Sequence, residues 1–436
     1  MQTMKQSLTK QPSDDTWLVP SFVDRHCHPL FAAREMAALD ISHCRNLSEL
    51  LEVLTQHLQA NPELKWLDAT AFDYAASQDF LATTLDTVSS KIPITLHSND
   101  HHALWVNSAA LRVAGLFEQV PDLSHGEIVV DASGAPSGLL LEWSAMKLVL
   151  DKQPTPSLEE DLAHLKRAQD KLRAAGISAC SDAWIDPGMG EVYLEAARRK
   201  LLTMPVELWV RVPPENSHEQ LSYLRELIAL QQASEHSNLV KIAGIKIFLD
   251  GVLSAKSAWV LDRYQDGSFG SQIWHDSELL QLLRSLAEIS PKLMPHFHAI
   301  GDAAVRQALD TIAVARAINL WSTECRPVVA HAELVATADC SRFEELDVEV
   351  VISPQWLAKD AQEDNLREIL QANVIERVGD FAQLVEANAH LTYGSDWPVS
   401  DPEPLRAIEV GVNHLMQRGY SPAQATKIMW RVCGPK

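Results

Sequence analysis

The sequence has no Cys-x-x-Cys pair, no run rich in Lys and Arg, and no uninterrupted apolar stretch long enough to span a bilayer. Each absence excludes something. The six cysteines (Cys27, Cys44, Cys180, Cys325, Cys340, Cys433) are scattered, which suits reduced thiols in a cytosol better than a disulfide framework. The first twenty residues, MQTMKQSLTKQPSDDTWLVP, hold no apolar core of signal-peptide length, so the expected location is cytoplasmic. Cations are outnumbered: 37 Lys and Arg face 58 Asp and Glu, a formal net charge of −21. A field of that sign repels phosphate backbones and anionic membrane surfaces. Nucleic acid and membrane are therefore not expected as partners, leaving a small-molecule substrate and self-association into a homo-oligomer open.

What is present is a chain of 436 residues, 46 % hydrophobic and 22 % charged, enough to bury a large core. That length allows two or three domains or one large barrel with insertions. Short apolar or β-branched runs at 18–26, 177–184, 205–212, 242–250, 293–300, 327–334, 348–355 and 390–397 read as strands. Amphipathic stretches such as 162–175, 219–232, 277–289 and 303–318, with apolar residues three and four apart, separate several of them. Eight strands alternating with helices predict an α/β fold, a (β/α)8 TIM barrel over residues 18–430. Roughly a third of the chain lies between the first two strand candidates, more than a βα connection needs. Residues 45–150 are therefore read as an insertion, with strand-like pieces at 66–74 and 92–97, a helix at 47–59 and a hairpin at 126–141 turning at Asp131-Ala132-Ser133-Gly134. Emerging after a barrel strand, it is either a lid or specificity element or a packing appendage.

The first strand ends in Asp24-Arg25-His26-Cys27-His28-Pro29. Residues two apart on a strand share a face, so His26 and His28 can aim two imidazoles at one point, with Cys27 on the other side. Alone that pair is weak evidence. Later strand ends carry Lys246 among apolar neighbours, His296 and His298, His331, and Asp396 after Gly394-Ser395. In that strand order the set predicts a divalent-metal site.

These segments resemble the amidohydrolase superfamily, near its N-substituted formamide deformylase-like subgroup. The resemblance rests on the His-x-His pair, Lys246-Ile247-Phe248-Leu249-Asp250-Gly251, His298-Ala299-Ile300-Gly301-Asp302-Ala303-Ala304-Val305, His331, and Gly394-Ser395-Asp396-Trp397-Pro398-Val399, in order. Within the insertion, Asp100 to Leu111 and Gly138-Leu139-Leu140-Leu141-Glu142 resemble further pieces, with His102 at the matching histidine. The resemblance implies metal ligation by His26, His28, Lys246, His298, His331 and Asp396. It also implies a carbamylated, bridging Lys246; the residues themselves leave a neutral or ion-paired lysine beside one metal equally open. Neutral imidazoles suit zinc, with iron or manganese as alternatives and one or two ions. His296 has no match in the pattern and is read as a supporting residue; Asp250 and Asp302 either orient imidazoles or cap the local backbone. Arg25 and His101 depart from the usual residues.

The expected function is hydrolysis of an amide or related C–N bond, other than a peptide bond, by a metal-activated water, with Asp396 as the catalytic proton shuttle. Ester hydrolysis or C–C cleavage on the same centre, and a metal-binding barrel without turnover, are the alternatives. Twelve tryptophans stand beside ten phenylalanines and six tyrosines. Trp184, Trp356 and Trp397 fall at strand ends, where they either wall a substrate pocket, together with His102, or pack the barrel top. The resemblance also implies a small β-sandwich, for which the chain has little length outside the barrel; it is expected to be reduced or absent.

Overall fold

The apolar runs become strands in the computed structural model of the chain, which describes residues 21–73, 80–98, 102–123, 126–233, 238–322, 325–358 and 366–434. In chain order these are β1 (Phe22–Cys27), β2 (Leu39–Asp40), β3 (Leu67–Phe72), β4 (Ile94–Ser98), β5 (Ala103–Val106), β6 (Glu127–Val130) and β7 (Pro136–Leu141). They continue as β8 (Ile177–Ile185), β9 (Val206–Arg211), β10 (Val240–Phe248), β11 (Met294–Ala299), β12 (Val328–His331), β13 (Glu349–Ile352) and β14 (His390–Tyr393). Expected positions 18–20, 74, 100 and 101 lie outside the described residues.

One unit holds β1 and β8 to β14, hydrogen-bonded in that order and all parallel. Just beyond β14 the ends meet: the Asp396 amide donates to the His26 carbonyl at 2.7 Å, and the His28 amide to the Trp397 carbonyl at 2.8 Å. The result is the expected (β/α)8 barrel, nearly closed. Its helices are amphipathic for simple reasons of spacing. In Asp276–Ile289, for instance, Leu279, Leu282, Leu283 and Leu286 form one buried stripe, each contributing about 2 kcal/mol by leaving water. The last helix, Pro422–Cys433, starts at a capping box in which Ser421 and Gln424 each accept the other's backbone N–H, with proline at its first turn. It lays Trp430 on Phe22 of β1, ring centroids 6.0 Å apart.

The other unit is Phe31–His164. Its six-stranded sheet runs β2-β3-β4-β5-β7-β6, parallel as far as β4 and antiparallel beyond. Strand β5 explains why it has a core on each face: Ala103 and Trp105 enter a cluster with Leu50, Leu54, Phe72 and Leu96, while Leu104 and Val106 enter another with Leu111, Leu140 and Met146. Alternation over four residues decides both memberships. The helix Leu47–Ala60 is capped by Asn46, which accepts from the Glu49 amide, and the β6–β7 hairpin turns at Asp131, whose carbonyl accepts from the Gly134 amide at 2.9 Å. Among the described residues every strand belongs to one of these two sheets.

Candidate metal centre

The site begins with an irregularity in β1. Its pairing with β8 shifts register between Asp24 and Cys27, and the consecutive residues Arg25 and His26 both reach across the barrel interior. Arg25 turns to Glu207 and Glu349, away from the histidines. His26 turns to the carboxyl ends of the strands, where the Asp396 Oδ1 lies 3.2 Å from its Nε2 and the Lys246 Nζ lies 3.4 Å from the same nitrogen. His28, just past β1, places its Nε2 3.0 Å from Asp396 Oδ1. His331 ends β12 and sits 4.8 Å from His26 and 4.5 Å from His298, ring centre to ring centre. One donor atom each from His26, His331 and Asp396 lies within 4.8 Å of the others. Two of these three residues are held in left-handed backbone, His331 at φ +74° and Asp396 at +54°. Such conformations cost about 1–3 kcal/mol each and are stabilised by the surrounding fold: here the Asp396 amide is tied to His26 and the Ala332 amide to Ala299.

Burial sets the charge state. It pushes His26 down to about 3, with the Lys246 ammonium adding to the effect, and holds His296, His298 and His331 well below the ordinary imidazole range. Burial pushes Asp396 up, but its contacts with the His26 and His28 rings outweigh it and hold the carboxyl well below its usual range. Burial also brings Lys246 down to about 7, opposed by Asp396. Near neutral pH the cluster therefore presents imidazole lone pairs and one carboxylate in a largely buried place. That donor chemistry fits a divalent transition metal.

The family model described as the amidohydrolase family matches residues 14–435. The chain belongs to the amidohydrolase family. It is 26 % identical over 418 residues to the protein LONG AFTER FAR-RED 3 of Arabidopsis thaliana, covering 91 % of this chain and 69 % of that one. It is 27 % identical over 352 residues to the N-substituted formamide deformylase of Arthrobacter pascens, covering 77 % of this chain and 62 % of the relative. In fold it is similar to an uncharacterized metal-dependent hydrolase from Pyrococcus horikoshii, with a TM-score of 0.71 at 20 % identity over 94 % of this chain and 77 % of that one.

In this amidohydrolase-family barrel the remaining expected residues fall into place around the cluster or apart from it. His296 puts its Nε2 2.8 Å from the His26 Nδ1; a His26 ring whose Nδ1–H donates there keeps its Nε2 lone pair for the cluster. The His298 Nε2 faces the Gly251 carbonyl at 3.1 Å. Asp250 accepts three backbone amides, from Trp259, Ile300 and Gly301, and lies 3.9 Å from His298 Nε2; its strong contacts fix the loop rather than the ring. Asp302 likewise accepts from the Leu261 amide and pairs with Arg377. Trp356 stacks on His331 at 5.3 Å and 7°, and Trp184 meets His28 edge-on at 6.1 Å. The Trp397 ring instead faces Lys171, whose Nζ lies 5.5 Å from its centroid, while its carbonyl anchors the His28 amide. Cys27 points its thiol at the Ser181 carbonyl, 3.6 Å away. In the second unit, His102 Nδ1 is 2.9 Å from Glu142 Oε2, and Glu142 adopts φ +64°. Sequence reasoning passed over Arg211, a buried cation at the carboxyl end of β9; its signal was present, a charge at the position where barrel strands deliver functional side chains.

Proposed function

We propose that the protein is a metal-dependent hydrolase of amide or related carbon–nitrogen bonds outside peptides, acting on a small molecule, with zinc as the resident ion. The observation that carries this reading is the convergence of His26, His331 and Asp396 donors within 4.8 Å of one another at the carboxyl ends of barrel strands, where such barrels build their active sites. His26, His28, His298 and His331 would supply ring nitrogens and Asp396 a carboxylate, a set suited to zinc. A divalent ion held by these residues would supply Lewis acidity and a water of lowered pKa. Asp396, kept ionised by its imidazole neighbours, accepts the proton of the attacking water and returns it to the departing nitrogen. His296 holds the His26 ring in the orientation the cluster needs. Trp184 and Trp356, packed on two of the histidines, favour a substrate with an apolar or aromatic group. His102 is proposed to contact substrate on the strength of its motif.

Lys246 is fully buried, and among the described residues no carboxylate pairs with its Nζ within 4.0 Å. We read it as the site of carbamylation, in which the neutral Nζ amine adds to carbon dioxide and releases a proton, leaving a carbamate that would serve as an anionic ligand. The test combines elemental analysis with a hydrolysis panel of N-formyl, N-acyl and cyclic amides, using protein from metal-replete expression. Stoichiometric zinc and turnover are expected in wild type, both lost on His26→Ala with His28→Ala. Wild type without a stoichiometric transition metal would overturn the reading. Carbon-13 NMR after labelled bicarbonate should show a carbamate signal that Lys246→Met abolishes.

A further inference from the structure

Above the metal centre, one charged group is not used by the chemistry just described. Arg211 closes β9 and is the ladder partner of Lys246 on β10, so its side chain enters the barrel at the level of the cluster. It is 5 % exposed. Its guanidinium carbon lies 4.9 Å from the centroid of Trp184, the ring whose edge meets His28. Asp186 locks this arrangement: its Oδ1 accepts from Arg211 Nε at 3.0 Å and lies 2.9 Å from Nη2, and its Oδ2 accepts from the Trp184 indole at 3.0 Å. Ring, guanidinium and carboxylate thus form a closed triangle that fixes the plane of the cation.

The Asp186 contacts consume only one edge of the fork. Nη1 has no protein partner among the described residues, yet it is not one of the buried, unpartnered polar atoms, so it reaches accessible surface. The edge bearing Nη1 and the second proton of Nη2 has the spacing that meets a planar carboxylate with two parallel hydrogen bonds. A guanidinium already stacked and oriented loses little freedom when it binds. Phe248 continues the apolar wall, 5.3 Å from Trp184 and 4.6 Å from His298. One aromatic ring therefore separates a fixed cation from the metal-binding histidines.

From this geometry we infer that Arg211 selects substrates bearing a carboxylate close to the scissile amide, the class of N-formyl- and N-acyl-amino acids with apolar side chains. The inference rests on the hydrolytic reading and specifies its substrate. The carboxylate seats on the free edge of Arg211, the apolar side chain lies along Trp184 and Phe248, and the amide carbon reaches the metal centre.

The experiment compares N-formylphenylalanine with its neutral carboxamide on zinc-loaded wild type, Arg211→Met and Arg211→Lys. Wild type should show a KM lower for the acid by about 10- to 100-fold, the range for a charge-assisted pair. Arg211→Met should bring the two KM values together; Arg211→Lys, which keeps the charge and loses the fork, should retain part of the preference and serves alone if the methionine variant fails to fold. A carboxylate bound by the metal rather than by Arg211 would keep its preference in Arg211→Met, and that result overturns the inference. Equal KM values in wild type overturn it too, while leaving the hydrolytic reading intact. If neither compound turns over, calorimetric titration of the same pair decides: acid-selective binding lost in Arg211→Met sustains the anion site and sinks the hydrolytic reading, and unselective binding sinks the site.

Discussion

Arg25 and His26 are neighbours in sequence, yet they serve opposite ends of the barrel interior. Toward the amino ends of the strands, Arg25 spans the barrel between Glu349, bonded through Nε at 2.9 Å, and Glu207, bonded through Nη1 at 2.7 Å. Lys241 reaches the other oxygen of Glu207, and Ser181 and Thr392 donate to the two carboxylates. Two cations face two anions, and each has found its partner within the layer. Toward the carboxyl ends the balance is different: among the described residues the His28 and His296 Nδ1 atoms are buried without a hydrogen-bond partner, and the Lys246 Nζ lies against an imidazole nitrogen and the Phe248 ring with no carboxylate within 4.0 Å. A neutralised layer has nothing left to bind. A layer with lone pairs in excess of donors is incomplete until it binds something, and left-handed backbone is found at His331 and Asp396 there. The contrast assigns stability to the lower layer and function to the upper one.

Substitutions can break that assignment. The largest effect is expected from Asp396→Asn, which keeps the shape and removes the proposed proton acceptor: kcat on any amide turned over should fall by about 10²- to 10⁴-fold, while the thermal midpoint moves by about 5 °C or less. A variant that unfolds instead would show that Asp396 belongs to the structural side of the comparison. Next in size is Arg25→Met. It strands two carboxylates inside the barrel and should cost about 3 kcal/mol in urea unfolding, the low end for a broken buried pair because the Arg25 side chain is 24 % exposed. Neutralising the partners as well, with Glu207→Gln and Glu349→Gln, should recover most of the loss. A fall in kcat of folded Arg25→Met as deep as that of Asp396→Asn would erase the distinction between the layers.

Much of this was legible in the residues. All eight barrel strands coincide with apolar runs, since strands buried on both faces leave the plainest signature. The positions proposed as ligands were readable because they sit at strand ends in a fixed order. The second sheet was harder: β2 has two residues and β5 four, too short for alternation to stand out, and β5 was readable only as part of a motif. Strict alternation also assigns Arg25 and His26 to opposite faces, and nothing local announces the register shift that turns both inward. Trp397 illustrates the same limit past the end of β14, where the period of two no longer fixes direction. Arg211 was visible as a letter, but its triangle with Trp184 and Asp186 depends on the closeness of β8 and β9.

The finest separation of the two layers comes from pH, in protein kept metal-free by a chelator. Burial pushes Glu207 up, but the Arg25 and Lys241 cations outweigh it and hold the carboxyl below its ordinary 4.5. A carboxyl depressed in the folded state contributes stability that is present above 4.5 and lost as pH falls through the folded value. The stability gap between wild type and Glu207→Gln should therefore stay level from pH 7.5 to about 4.5 and narrow only below that. His26 is displaced the same way from a higher start, from 6.5 down to about 3, chiefly by burial. Because the unfolded imidazole takes up its proton first, the contribution of the neutral ring is complete above 6.5 and is lost as pH falls toward 3. The gap between wild type and His26→Asn should accordingly begin to narrow near 6.5, about two pH units before the Glu207 gap moves. Urea midpoints of the three proteins at half-unit steps from pH 7.5 to 4 measure both windows. Gaps that close over one common window would mean that the two layers titrate as a single network, and the division of labour inside the barrel would fail with them.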